Sequence, residues 1–487
     1  MGLMFIQKSS TITTEIELMR TYINRLAPIV ILILLAGCKV SKDVVIPKAS
    51  IPEQFRNAAS ADSTSIAGLT VKQFFTDQTL QDLLDTALLR NYDLQIALKN
   101  MESADLLFRQ SKLGNLPQLN LNITANTNRP SDNSLNGLSA GQFLKTKHIE
   151  DYNANIGLSW EADIWGKIRS QKQAALATYL QTAEAKKAIQ TRLIANVAQG
   201  YYRLLMMDEQ MTVAKRNLAL SDSTLKIIHM QFDAGQVTSL AIQQAEAQQL
   251  VAAQLIPELE QNISIQENAL SILAGQLPKA IARTASLNKI SFPEYLSAGF
   301  PSAMVSRRPD VKSAELSLNI SNAQVGIAKA GLYPSLSITA SGGLNAFKAS
   351  NWFNIPASLF GTVAGGITQP IFQRKQLRTQ YERAKIDREK TVIEFRQSVL
   401  NAVGEVSDEL VKIEKLKQQY TIAQSRVGTL QQAVKNANLL FKNGMANYLE
   451  VITAQSNSLQ SELELASIKT AQLNASVELY RSLGGGF

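Results

Sequence analysis

Apolar residues at Leu94, Ala97, Leu98, Met101, Ala104 and Phe108 step by three and four, which predicts one face of a helix. The period breaks at Gly114. From Pro117 the chain reads LPQLNLNITAN, apolar and polar in alternation, which predicts a strand. The same order returns later. Pro309-Asp310 opens a helix that stops at Gly331, and Pro334 leads into another alternating run, PSLSITASGG. The offsets agree, 310 − 93 = 217 and 334 − 117 = 217, so helix and strand repeat as a block. A second strand follows in each half, YNANIGLSWEAD at 152–163 and LFGTVAGGITQP at 359–370, and each turns directly into a helix. There the offset is 371 − 164 = 207, because the first strand pair has the longer loop, residues 128–150.

The longest periodic stretches, 167–231 and 375–440, predict helices of roughly 65 residues, about 100 Å each. Each runs into a sharp turn and a returning helix, at 237–275 and at 447–483. The two turns share one design. Phe232 to Ala247 reads FDAGQVTSLAIQQAEA, and Phe441 to Ser456 reads FKNGMANYLEVITAQS, with the offset 441 − 232 = 209. Gly235 and Gly444 end the outgoing helices, and Asn447 is placed to cap the returning one. Pro257, inside 237–275, is expected to kink or interrupt that helix.

These elements predict a mainly α chain with a small β part and an internal two-fold repeat. Strands of about ten residues suit a tilted bilayer crossing. Four strands cannot close a barrel, and lipid does not tolerate open edges, so other copies must supply the rest. Three copies give 3 × 4 = 12 strands, beneath which the long helices would form a coiled-coil cylinder. The expected divisions are a leader over 1–37, an extended arm over 38–80, a first repeat over 81–275, an equatorial linker over 276–300 and a second repeat over 301–487.

Composition narrows the function. Charged residues are 18% of the 487, below the roughly 25% of soluble domains. A surface that is polar yet weakly charged suits a water-filled interior. The net charge of +9 is scattered along the helices with no basic run among aromatics, which argues against nucleic-acid binding. With two histidines, His148 and His229, and one cysteine, no metal cluster and no cofactor are expected. GLSAG at 137–141 matches a nucleophile-elbow pattern but falls in a polar loop, so no catalytic residue is expected.

The N-terminus carries Arg20 and Arg25, then the short apolar run PIVILILLAGC at 28–38, too short to span a membrane but suited to a secretory signal. LAGC at 35–38 resembles a bacterial lipobox, which makes Cys38 the candidate lipid-attachment site.

The motifs LAGC at 35–38, SWEADIWGKIRSQ at 159–171, SRRPDV at 306–311, AGLYPSLSITAS at 330–341, QPIF at 369–372, NYLEVITAQ at 447–455 and SLGGGF at 482–487 occur in that order. Together they resemble the TolC-like outer-membrane efflux channels, the lipoprotein branch that works with resistance–nodulation–division pumps. The resemblance implies a homotrimer with a helical barrel in the periplasm and a 12-stranded barrel in the outer membrane. It further implies a periplasmic adaptor and an inner-membrane pump as partners. Adaptor contact would fall on the tip turns, Gly235, Gln236, Gly444 and Met445. Acids on the helix after the second tip commonly narrow the pore in this family. The matching positions here are Leu449, Glu450, Thr453 and Ser456, of which only Glu450 is acidic, and its first-repeat counterpart is Ala241. Two other readings are a lipid-anchored periplasmic scaffold or adaptor and the duct of a type I-like secretion system. Two bilayer-length strand pairs favour a channel over a scaffold.

Overall fold

A computed structural model describes residues 52–56, 65–290 and 298–486. The leader over 1–37, Cys38 and part of the 276–300 linker lie outside the described residues. In chain order the elements are α1 (Val71–Phe74), α2 (Gln78–Arg90), α3 (Tyr92–Lys112), β1 (Gln118–Asn128), α4 (Leu135–Ser139) and β2 (Ile149–Ala162). Then come α5 (Lys167–Asp233), α6 (Ser239–Leu273), α7 (Pro301–Arg307) and α8 (Pro309–Ala330). The last are β3 (Ser335–Ala346), β4 (Leu359–Thr368), α9 (Gln376–Lys442) and α10 (Tyr448–Ser482). The two long helices α5 and α9 have 67 residues each and the two returning helices 35 each, so the repeat holds in length as well as in sequence. The chain divides into two compact units, one over 106–177 and 318–390 and one formed by the described residues of 47–105, 178–317 and 391–487.

The first unit holds the sheet. Its order is β1-β2-β3-β4, every pair antiparallel. The two strand pairs read from the sequence are therefore joined through β2 and β3 into one four-stranded sheet. Trp165 ties the turn after β2 to the start of β3. Its indole stacks on Tyr333 with centroids 4.7 Å apart, and its Nε1 donates to the Pro334 carbonyl at 2.7 Å.

The second unit is helical. Its main core includes Tyr201, Tyr202, Leu204, Leu270, Val399, Val406 and Tyr480. Residues read as the last part of an extended arm take part in it, which corrects the 38–80 assignment. A capping box closes α1, with Thr70 Oγ1 accepting from the Gln73 amide and the Gln73 side chain accepting from the Thr70 amide. Asp77 caps α2, which starts at Gln78 rather than beyond 80. Phe74 stacks on Tyr480 at 4.2 Å, and the Tyr480 hydroxyl donates to the Leu69 carbonyl at 2.7 Å. Burial pushes that hydroxyl up to about 12. Helical pieces of three and four residues are too short to show a period, which is why the sequence reads as irregular there.

Pro257 does not interrupt its helix, since α6 runs continuously from Ser239 to Leu273. The linker is held down by Arg283, whose guanidinium donates to Asp208 on α5 and Glu267 on α6.

The repeat extends to the helix ends. Both outgoing and both returning helices end on a glycine in the left-handed region: Gly235 at φ +71°, Gly275 at +63°, Gly444 at +71° and Gly484 at +81°. The offsets are 444 − 235 = 209 and 484 − 275 = 209. In all four, the amide after the glycine reaches back to the carbonyl five residues earlier, as in Gln236 to Gln231 and Met445 to Leu440, which is the Schellman closure. A polar side chain from the other end of each repeat also covers a returning helix. Asn91 Nδ2 donates to the Leu273 carbonyl at 2.9 Å, and Arg308 Nη1 donates to the Ser482 carbonyl at 3.1 Å. Here 308 − 91 = 217 and 482 − 273 = 209, so one contact is built twice with different residues. Arg308 is buried and paired with Asp310 and Glu405. Burial pushes the Asp310 carboxyl up, but the hydrogen bond and charge of Arg308 outweigh it and hold it below its ordinary range.

Four glycines of one type differ in their surroundings. A Cβ on Gly444 would meet nothing within 4 Å, whereas on Gly275 it would sit 2.3 Å from the Arg90 carbonyl oxygen. Gly444→Ala should cost about 1 kcal/mol, the left-handed penalty alone. Gly275→Ala should cost clearly more, because rigid backbone must move as well. Thermal unfolding of the two variants checks this, and equal shifts would contradict it.

Candidate functional site

Two features stand out: the two faces of the sheet and the ends of the helical hairpins. Directly paired residues in antiparallel strands share a face, so the register sorts the side chains. Leu119, Leu121 and Ile123 pair with Leu158, Ile156 and Ala154; Leu158 pairs with Ala340, and Ala340 with Val363. Leu336 pairs with Ile367 and Leu344 with Leu359. All lie on one face, which is apolar. The alternate face holds Asn120, Asn122, Asn153, Asn155, Ser159, Thr339, Ser341 and Thr362. Its side chains bond one another, Asn122 to Asn155 at 3.3 Å and Ser341 to Thr362 at 2.7 Å.

The apolar face is bare. Leu121 is 68% exposed, Val363 82% and Ile367 70%. In water such a patch would drive aggregation, but it matches the outward band of a membrane barrel with the polar face toward the lumen. The edges β1 and β4 have no strand beyond them among the described residues. Among the described residues no helix is long and apolar enough to cross a membrane.

The hairpin ends lie in the second unit and pack on each other. A small separate core joins Ile228, Ala241 and Ala245 from α5 and α6 to Phe441 and Val451 from α9 and α10. Gly235, Gln236, Gly444 and Met445 are all exposed at the turns. So are the apolar side chains of Leu240, Met445 and Leu449. The four candidate pore positions lie on the side of α10 away from Val451. Leu449, Glu450 and Thr453 are exposed and Ser456 is half-buried, while Val451, Gln455 and Leu459 are buried. Asn447 caps α10 as expected: its Oδ1 accepts from the Glu450 amide at 3.1 Å and its Nδ2 donates to Glu450 Oε1 at 3.3 Å. The repeat breaks at this point, since Ala241 is fully buried in the shared core and Glu450 is exposed.

Ser139 of the GLSAG segment sits within the short helix α4, not on a strand-to-helix turn, so the elbow geometry is absent there. The residues that sequence reasoning missed are Arg308 and Asn91. Their signal was the second offset, 217, applied to the residues before each Asp.

An amphipathic sheet with two unpaired edges, joined in sequence to paired helical hairpins, defines the class: a channel protein completed by further copies. The model of the outer membrane efflux protein family matches residues 83–276 and 300–485, and the chain belongs to that family. It is 27% identical over 471 residues to the cation efflux system protein CusC of Escherichia coli K12, covering 95% of this chain and 99% of that protein. It is 30% identical over 470 residues to the toluene efflux pump outer membrane protein TtgI of Pseudomonas putida, covering 94% and 98%. The open-state MtrE outer membrane channel of Neisseria gonorrhoeae superposes with a TM-score of 0.81 at 26% identity, covering 92% of this chain and 98% of that one.

The face assignment makes a direct prediction. A cation at the bilayer midplane on the lipid side of a barrel costs about 2–4 kcal/mol. Val363→Arg, in the middle of β4 on the apolar face, should therefore block membrane assembly. Thr362→Arg, one residue away on the polar face, should be tolerated. Heat-resistant assembly in isolated membranes reads this out, and the reverse order would invert the two faces.

Proposed function

We propose that three copies of this chain form one passive duct for small molecules through the outer membrane, working with a periplasmic adaptor and a resistance–nodulation–division pump. The observation that carries this reading is the sheet: one apolar face, one polar face and two open edges. Edge groups left unpaired in lipid cost several kcal/mol each, so closing the barrel and associating are one event. The exposed turns at Gly235, Gln236, Gly444 and Met445 offer the adaptor a contact surface. Cys38 carries the lipid anchor. The barrel holds the protein in the membrane without it, so Cys38→Ala should abolish incorporation of a radioactive fatty acid yet leave assembly unaffected. Undiminished labelling would reject Cys38.

Leu449, Glu450, Thr453 and Ser456 line the narrow mouth. Three-fold symmetry around one axis brings three Glu450 carboxylates together, and such rings favour cations. Their repulsion is relieved by divalent ions, by protonation or by opening. Glu450→Gln should leave the assembly intact, reduce cation preference in planar bilayers and weaken block by divalent cations. Thr453→Asp should act oppositely, adding a second acidic ring about one helical turn away. Unchanged selectivity in Glu450→Gln channels would reduce Glu450 to its contact with the cap Asn447.

A further inference from the structure

The two turns that lead from the sheet into the long helices have diverged. In the first copy the charges of Glu161, Asp163 and Lys167 are answered within the chain. Asp163 accepts from the Ile168 and Arg169 amides, both at 2.9 Å, and so caps α5. Lys167 pairs with Glu161 at 3.0 Å, and Trp165 is packed against Tyr333.

At the offset of 207 the second copy keeps one cation and the apolar pair but loses both acids. Pro370 stands for Asp163, Thr368 for Glu161 and Arg374 for Lys167. Lys375 and Arg378 add two further cations. All three are exposed, and among the described residues none of them has an ion-pair partner. Ile371 is 95% exposed and Phe372 86%. Arg374 and Lys375 also hold φ of +49° and +62°, a backbone that L-residues avoid and that the first copy reaches with Gly166 instead.

The nearest acid after them is Glu382, one helical turn past Arg378, and it pairs with Lys385 at 2.7 Å. From Leu316 to Tyr381 the sequence has no Asp or Glu. Residues 106–131, which include the β1 edge a second copy would present to β4, have none either. Two exposed apolar side chains followed by three cations without an ion-pair partner among the described residues, at the end of a membrane strand, match a bilayer interface: apolar groups toward the acyl region, cations at phosphate level.

We infer that Ile371, Phe372, Arg374, Lys375 and Arg378 form a binding site for the headgroup of an anionic phospholipid at the membrane boundary where β4 ends. The inference rests on the sheet being the membrane segment of the duct proposed above. Repeated in each copy, the site would ring the barrel with fixed anionic lipids and seat it at a set depth.

The test uses the full assembly in detergent, titrated with phosphatidylglycerol or phosphatidylcholine and read by native mass spectrometry. Phosphatidylglycerol should be retained about tenfold or more over phosphatidylcholine. The triple variant Arg374→Gln, Lys375→Gln, Arg378→Gln should lose that preference, and Lys375→Gln alone should reduce it. The control pair Lys435→Gln, Lys442→Gln, far along α9 in sequence, should keep it. A triple variant that retains the preference, or a control that loses it equally, overturns the site. Failure of the triple variant to assemble, together with Lys375 cross-linking to a second copy in the parent, would make the patch a seam between copies and overturn it too. Parent channels that conduct in planar bilayers yet show no lipid preference would reject the lipid site alone. Parent channels that do not conduct would reject the duct.

Discussion

Everything in this chain answers to one constraint: a backbone amide or carbonyl in lipid must find a partner within protein. Among the described residues four strands satisfy three ladders and leave two edges open. The apolar face is already made for lipid, with Leu119, Leu121, Val363 and Ile367 bare. The fold of one chain is therefore incomplete as energy as well as shape, and only closure with other edges completes it. Weak local demands on the sheet follow. Its strands need small and β-branched residues more than a core, and β3 and β4 accordingly carry Gly342, Gly343, Gly361, Gly365 and Gly366.

The helical unit solves a different problem. Helices of 67 residues have no single hydrophobic stripe, because the apolar period drifts around the axis over that length. They are held at discrete points: glycine closures at their ends, the Phe74–Tyr480 stack, Arg283 over α5 and α6, and Arg308 under α10. These contacts add fixed points to the core that α5 and α9 share around Tyr201, Leu204, Val399 and Val406.

Much of this was legible in the sequence. The helix boundaries fell within a few residues of their places, because Gly235, Gly444, Pro309 and Asn447 are strong punctuation with a clear mechanism. The face alternation of β1 was readable from LNLNIT. What was not legible had no periodic signal. The turns at 66–68 and 71–74 are too short to show a period, and Phe74 and Phe75 are buried against Tyr480 of α10 from a distant part of the chain. Pro257 inside α6 is a strong local signal that does not interrupt the helix. The pairing of β2 with β3 joins residues nearly two hundred apart, and no local pattern encodes it. At the tip, the sequence could place Glu450 on the first turn of α10, but its exposure depended on which side of that helix the neighbouring hairpin covers.

Duplication supplies an internal control that a single copy lacks. Where the two repeats agree, as in the four glycine closures, the cause is the common architecture and needs no functional account. Where they differ at matched positions, the architecture tolerates both residues, so it cannot by itself explain either. Ala241 against Glu450 is such a pair: the alanine is buried between hairpins, and the glutamate faces outward. Asp163 against Pro370 is another, a helix cap in one copy and its loss in the other. Asn91 against Arg308 is a third with a different meaning, because both reach the same carbonyl position and the extra charge of Arg308 is consumed by Asp310 and Glu405. The first two divergences leave charge or apolar surface unanswered inside the chain, and the third does not. Surface left unanswered in a folded chain is open to something outside it, which separates the tip and the β4 boundary from the structural seam at Arg308.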